Sequence, residues 1–469
     1  MTNTGTINLS GASSIRLPSG GPAFTNAAGG TLNIDSTAGW SFVSNPTTQD
    51  GVVDNAGTIN VNSGTSWEVA FNQAGTGSLN IAAGKFLSLQ NGQSVAGTVN
   101  VGTGSTLWVS ERHGVNASFS GTTIGGSGTV QVVGGAGPVA DFTNVSAPSA
   151  KLLVGSGGTA NVLAGTTTFA ALEITGGTLS GAGTLNVTAS LNQSGGSQSG
   201  AGITVLASGA TGTLGGVSVG RNLTNLGTLD LSGTSISGLF TNDGTVNVTG
   251  AVNASGGMQQ NAGLTTVPAG QTLGVGGSGL VLAGGTLMGN GMISGNVNNS
   301  AGIVAPGASP GILTINGDYT QGASGVLAVD VGGTVAGTEY DQLVVNGNVF
   351  LDGNLSTTLF GSYTPLPGDS YTFVSATGTI TGSFANVSQP VGLLPPVAAV
   401  SPLTGAGELI VSVVSPSLPP AIEPTYNYTV VATEISSEPV ENILVPVLGV
   451  EGTAGTEESS LEKKPPACS

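Results

Sequence analysis

The chain has 469 residues, 81 of them glycine, and only 7% are charged, with seven Lys and Arg against 24 Asp and Glu for a formal net charge of −17. So few cations exclude a phosphate-binding surface for nucleic acid and docking onto anionic lipid. The 38% apolar content argues against low-complexity disorder, glycine without a Gly-X-Y period excludes collagen, and one cysteine excludes an internal disulfide framework.

From the first residues a five-residue unit, Gly-Thr-hydrophobic-Asn/Asp-hydrophobic, recurs. It reads GTINL from Gly5, GTLNI from Gly30, GTINV from Gly57, GSLNI from Gly77 and GTVNV from Gly97. GTLNV from Gly183, GTLDL from Gly227 and GTVNV from Gly244 continue the series. Within GTINV, Ile59 and Val61 share one face of a strand while Thr58 and Asn60 share the other. Pairs such as Thr25-Asn26, Asp54-Asn55, Thr224-Asn225 and Thr241-Asn242 precede these strands. Asn and Gly tolerate left-handed backbone, so the pairs are expected at corners, with side-chain amides of successive coils bonded in a ladder.

Units of this size point to a solenoid of parallel rungs burying a continuous column of Val, Ile and Leu. At roughly 22 residues per rung, about 18 rungs and a column on the order of 85 Å are expected. An array of β-sandwich modules is the rival, and it calls for a longer repeat. No stretch before residue 415 shows helical periodicity. The longest gap between units, Gly97 to Gly128, is expected to hold an excursion from the column, and it contains Glu111, Arg112 and the sole histidine, His113.

The shaft is thus residues 1–305. Residues 306–387 are richer in aromatics and are expected to form a C-terminal β cap, since a solenoid end exposes strand edges that need covering. Residues 388–424 are proline-rich and read as a linker, with a possible last strand at 407–414. Residues 425–469 form an acidic tail expected to be flexible. The N-terminus has neither a basic nor an apolar leader region, so the sequence reads as the C-terminal part of a longer exoprotein.

The Asn-x-Gly-Thr strands resemble the shaft of filamentous-haemagglutinin-like exoproteins and autotransporter passengers. The block SPGILTINGDYTQ, YDQLVVNG and GDSYTFVSATGTITGSFANV is similar to the cap of such passengers, sometimes called the autochaperone. The resemblance implies a right-handed parallel β-helix, all β, used as an adhesin or in biofilm at a bacterial cell surface. Its partners would be glycans or proteins of host or neighbouring cells and an outer-membrane secretion transporter. No membrane barrel follows Val414, and the tail ending KKPPACS looks more like a two-partner secretion exoprotein, which puts Cys468 at a possible anchor.

Catalytic readings are weaker. His113 with Glu111 could serve as a base, but Gly368-Asp369-Ser370 lies more than 250 residues away, so a triad is not expected. Parallel β-helices can be polysaccharide lyases or glycosidases, which need carboxylates flanking a cleft, and the shaft has few acids. Asp318, Asp330, Asp341 and Asp352 could line up for Ca²⁺ but read more simply as turn residues. No cofactor is expected. Trp40, Trp67 and Trp108 are expected to pack in or on the coils, with stacking platforms for sugar as the other reading.

Overall fold

The computed structural model describes residues 1–17, 23–37, 39–43, 51–110, 115–135, 137–366, 369–388 and 407–412. The chain divides into Met1–Ile435 and Ser436–Ser469, and the second unit lies wholly outside the described residues. The described part is all β, a parallel β-solenoid with three strands per coil.

Three ladders run up the column. The first holds Thr2–Asn3, Phe24–Asn26, Val52–Asn55, Ala70–Gln73 and their successors in a 19-stranded sheet. The second starts with Thr6–Leu9, Thr31–Ile34 and Thr58–Val61, and the third with Ile15–Arg16, Trp40–Val43 and Thr65–Trp67. The second and third merge into one 33-stranded sheet because three long strands, Ser146–Val154, Thr166–Ile174 and Thr184–Gln193, turn the corner between them unbroken. Register is residue for residue: Thr31 lies between Thr6 and Thr58, and Ser78 lies between Thr58 and Thr98.

The alternation read from the sequence decides which side chains go inside. Ile59, Val61, Leu79, Val99 and Val101 are buried, and each contributes about 1.5–3 kcal/mol. Aromatics fill the same column near the N-terminus, where Trp67 meets Phe42 at 5.0 Å and Phe71 at 5.2 Å between centroids. Trp67 is therefore core, as expected, whereas Trp108 is 37% exposed. The Trp40 side chain lies outside the described part.

The expected amide ladder is present, and it is buried. Asn3 Nδ2 donates to Asn26 Oδ1 at 2.7 Å, Asn26 to Asn55 at 2.8 Å, and Asn55 to Gln73 Oε1 at 3.1 Å. Each amide also donates to a carbonyl of the next coil: Thr31, Thr58, Ser78 and, from Gln73, Thr98. A second ladder runs outside in the opposite sense. Asn33 donates to Asn8, Asn60 to Asn33, Asn80 to Asn60 and Asn100 to Asn80, at 2.6–2.8 Å.

The repeating unit changes corner along the chain. In the first coils a strand of the first ladder ends in the buried amide and the Gly-Thr strand opens the second ladder. From Asn225 onward the amide ends the second ladder and Gly-Thr opens the third, as with Asn225 and Thr228, then Asn242 and Thr245. Asn225 Nδ2 bonds Asn242 Oδ1 at 2.8 Å, so the inner ladder resumes one corner further round. At the vacated corner sits Arg221, 1% exposed, its guanidinium donating to the carbonyls of Ser180, Gly183 and Ile203. Burial lowers its pKa to about 10, so it stays charged at neutral pH.

A change of ladder also accounts for the 31-residue spacing, while the excursion expected at Glu111, Arg112 and His113 lies outside the described residues. Gly97 opens a second-ladder strand and Gly128 a third-ladder one, while Thr98 pairs with Thr123 one ordinary coil later. The role of the glycine is corrected. Gly57 and Gly244 do not have positive φ; a Cβ on either would press into the carbonyl oxygen of the stacked glycine, Gly30 or Gly227. They are small because coils approach closely there.

Parallel pairing continues past residue 305, from Thr286–Gly289 to Ile303–Pro306 to Val326–Val331. The one antiparallel strand among those described, Gly407–Ser412, pairs with Ser370–Ala376 and occupies its open edge. It covers most of the strand expected at 407–414.

Replacing Asn242 by Ala should cost about 1–3 kcal/mol, because Asn225 Nδ2, the Gly244 N–H and the Leu264 carbonyl each lose one hydrogen bond in a dry corner. Asn100→Ala, on the exposed outer ladder, should stay within about 0.5 kcal/mol. Urea denaturation of the two variants checks the contrast, and equal losses would mean the inner amides are not special.

Candidate functional site: the outer face of the early coils

Glu111, Arg112 and His113 lie outside the described residues, as does Cys468. The chain around the former is described. It leaves the third ladder after Thr106–Val109 and rejoins the first at Ala117–Ser120. Beside this corner a shallow groove runs along the first ladder, lined by Val52, Ala70, Asn72, Gln93, Ser94 and Asn116 among others. Two of its asparagines are bonded to acids beside it: Asn72 donates to Asp54 at 3.0 Å and Asn116 to Asp141 at 3.0 Å, and Asp141 also accepts from Asn161 at 2.9 Å.

Shaft acids elsewhere play the same part. Asn62 donates to Asp35 and Asn247 to Asp230, while Glu173 pairs with Lys151 at 2.9 Å. The aspartates act as acceptor steps in the outer amide ladders, and Glu173 is held by an ion pair. Among the described residues no group of three or more His, Cys, Asp or Glu gathers as metal ligands would.

Round the corner, on the third ladder, Trp108 packs on the outside of the coil with an exposed ring beside it. Phe86 and Trp108 are 36% and 37% exposed, with ring centroids 5.2 Å apart and planes 25° from parallel. Trp108 Nε1 donates to Gln131 Oε1 of the next coil at 2.8 Å. The signal was in the alternation: in Thr106–Val109, Leu107 and Val109 point inward, so Trp108 must point out.

Titratable groups concentrate instead near the C-terminal end. Asp341 is 3% exposed, and its carboxylate accepts from the Gly311 N–H at 2.7 Å and the Asp330 N–H at 2.8 Å. Asp330 in turn accepts from the Ser309 hydroxyl. Burial, opposed by the two backbone N–H groups and assisted by the Asp330 charge, pushes the Asp341 pKa up to about 6. Asp369 accepts from Tyr363 Oη at 2.6 Å and Leu366 N–H at 2.7 Å, which hold it below the usual carboxylate range. It fastens a loop. Asp318 accepts from Asn348 and Asp352 from the Gly353 N–H, so of the four evenly spaced aspartates Asp330 and Asp341 adjoin and no three gather as metal ligands would.

No known family model matches the chain. Over 119 residues it is 34% identical to the adhesin BmaC autotransporter of Brucella suis biovar 1 (strain 1330). That stretch is 24% of this chain and 3% of the relative's length, so the chain spans a small fraction of the curated relative it matches. The chain is a parallel β-solenoid with similarity to an autotransporter adhesin. Among the described residues no helix is long and apolar enough to cross a membrane.

Asp341 binds its proton more tightly folded than unfolded, so folding takes up a proton between about pH 4 and the folded value of about 6. Its contribution to stability is therefore greatest at the acid end, falls as pH rises through that window, and is flat above it. Asp341→Asn should remove this slope from unfolding curves taken between pH 4 and 7. An unchanged slope would assign it to other groups.

Proposed function

We propose that this chain is part of a secreted, cell-surface fibre of the adhesin type, which binds or spaces and does not catalyse. The observation that supports this best is the outer face, where Ser, Thr and Asn repeat coil after coil and the hydrogen-bonded acids are steps in ladders. Such a face offers many equivalent weak contacts, whose strength comes from repetition. The adhesin similarity of the 119-residue stretch points the same way.

Residues 306–387 with the strand at 407–412 would serve as the cap that covers the solenoid end. Export would use an outer-membrane transporter, by the autotransporter or two-partner route, with filamentous-haemagglutinin-like proteins as the analogy for the latter. Receptors would be glycans or proteins of host or neighbouring cells, in adhesion or biofilm. The second reading, a carbohydrate-active β-helix enzyme, would need carboxylates facing one another across a cleft.

Beads coated with the purified chain should bind epithelial or bacterial cells saturably, and soluble chain should compete. The same protein incubated with polysaccharides should release no new reducing ends. Turnover, or binding no greater than to albumin-coated beads, would overturn the proposal.

A further inference from the structure

We propose that Phe86 and Trp108 form a stacking platform for a neutral saccharide, which deepens the adhesin reading and rests on it. The two rings project from adjacent strands of the third ladder, where Phe86 is registered with Thr106 and Ser88 with Trp108. They are held from behind. Gln131 fixes the indole plane through Nε1, and Phe86 lies so close over Gly64 that a Cβ there would collide with its ring. Two aromatic faces preset in this way lose little freedom when a ligand lands on them.

The surroundings select the ligand. About a third of each ring is exposed, which for side chains of ~150–250 Å² leaves on the order of 150 Å² of apolar surface in all. A stable protein interface needs roughly 1,200 Å² or more, so the pair is too small to be the core of one. An anionic ligand would need clustered cations, and the whole sequence has seven Lys and Arg. Beside the rings on the same outer face lie the uncharged hydrogen-bonding side chains Thr106, Thr129 and Gln131, all half-buried, with exposed Lys85 next to Phe86 in the chain. A pyranose matches this arrangement: its axial C–H face lies on a ring while its equatorial hydroxyls reach side-chain hydroxyls and amides at the edge.

The test uses the intact chain and an array of neutral oligosaccharides (β-1,4-glucans, galactans, mannans) beside sialylated and sulfated ones, followed by titration of the best binder. Binding should favour neutral sugars. Trp108→Ala should weaken it about 10-fold and Phe86→Ala by several-fold, while Trp108→Phe keeps most of it. Thermal unfolding of each variant separates a packing role from a binding one. If Trp108→Ala binds as the parent does, or loses binding only in proportion to lost folded protein, the platform assignment is wrong. Cell binding by the parent without any neutral-sugar binding, or with preference for charged sugars, sinks this inference and leaves the adhesin reading standing. Absence of both sinks the two together.

Discussion

Every coil must hydrogen-bond in register to the one before it, and that single constraint governs the composition of the chain. In-register stacking places each side chain directly above its counterpart, at the spacing of neighbouring strands. A position therefore has to tolerate itself. Aliphatics do so inside, and Thr, Ser and Asn do so outside. Like charges stacked in this way repel, and an outward column of Lys or Glu would accumulate that penalty at each step. The chain meets the problem by dilution and alternation, as where Asp54 is followed by Asn72 and Asp141 by Asn161. Its low charge is a consequence of its architecture.

The corners follow from the same constraint. Backbone leaving one strand and entering the next turns carbonyl oxygens such as those of Thr31, Thr58 and Thr245 toward the interior, where each can take a further donor. An amide suits this because its oxygen can take the N–H two residues on, as Asn242 does for Gly244, while its nitrogen reaches the next coil. That backbone bond also fixes the direction in which the inner ladder donates. Where the unit moves to the next corner, Arg221 supplies the donors instead, with three carbonyls as its partners. A guanidinium can do this because it carries several donors in one plane and no acceptor to be left over.

Strand identity, inward and outward faces and the amide ladder were legible in the sequence because they depend on local alternation and on the chemistry of Asn. The ladder to which each strand belongs was not. GTVNV at Gly97 and GTVNV at Gly244 are the same five residues and occupy different ladders, since each face of the coil makes the same demand of a strand. Hence Gly97 and Gly128 looked like neighbours in one series and were not. Arg221 was unreadable for another reason: a lone arginine in a polar stretch gives no local sign that it will be buried. Trp108 was readable by parity with Leu107 and Val109, and only its partnership with Phe86 and Gln131 needed three dimensions.

Function is then a matter of what the column displays. Most of its surface is uniform and polar, which suits repeated weak contact, and the aromatic pair on the third ladder interrupts that uniformity. The account stands on the inner amide ladder being a dry, structural spine. Its most direct test is hydrogen exchange of assigned side-chain amides by NMR. Asn26, Asn55, Asn225 and Asn242 should exchange orders of magnitude more slowly than Asn8 and Asn100. Similar rates for the two sets would contradict the spine and, with it, the in-register stacking from which the rest follows.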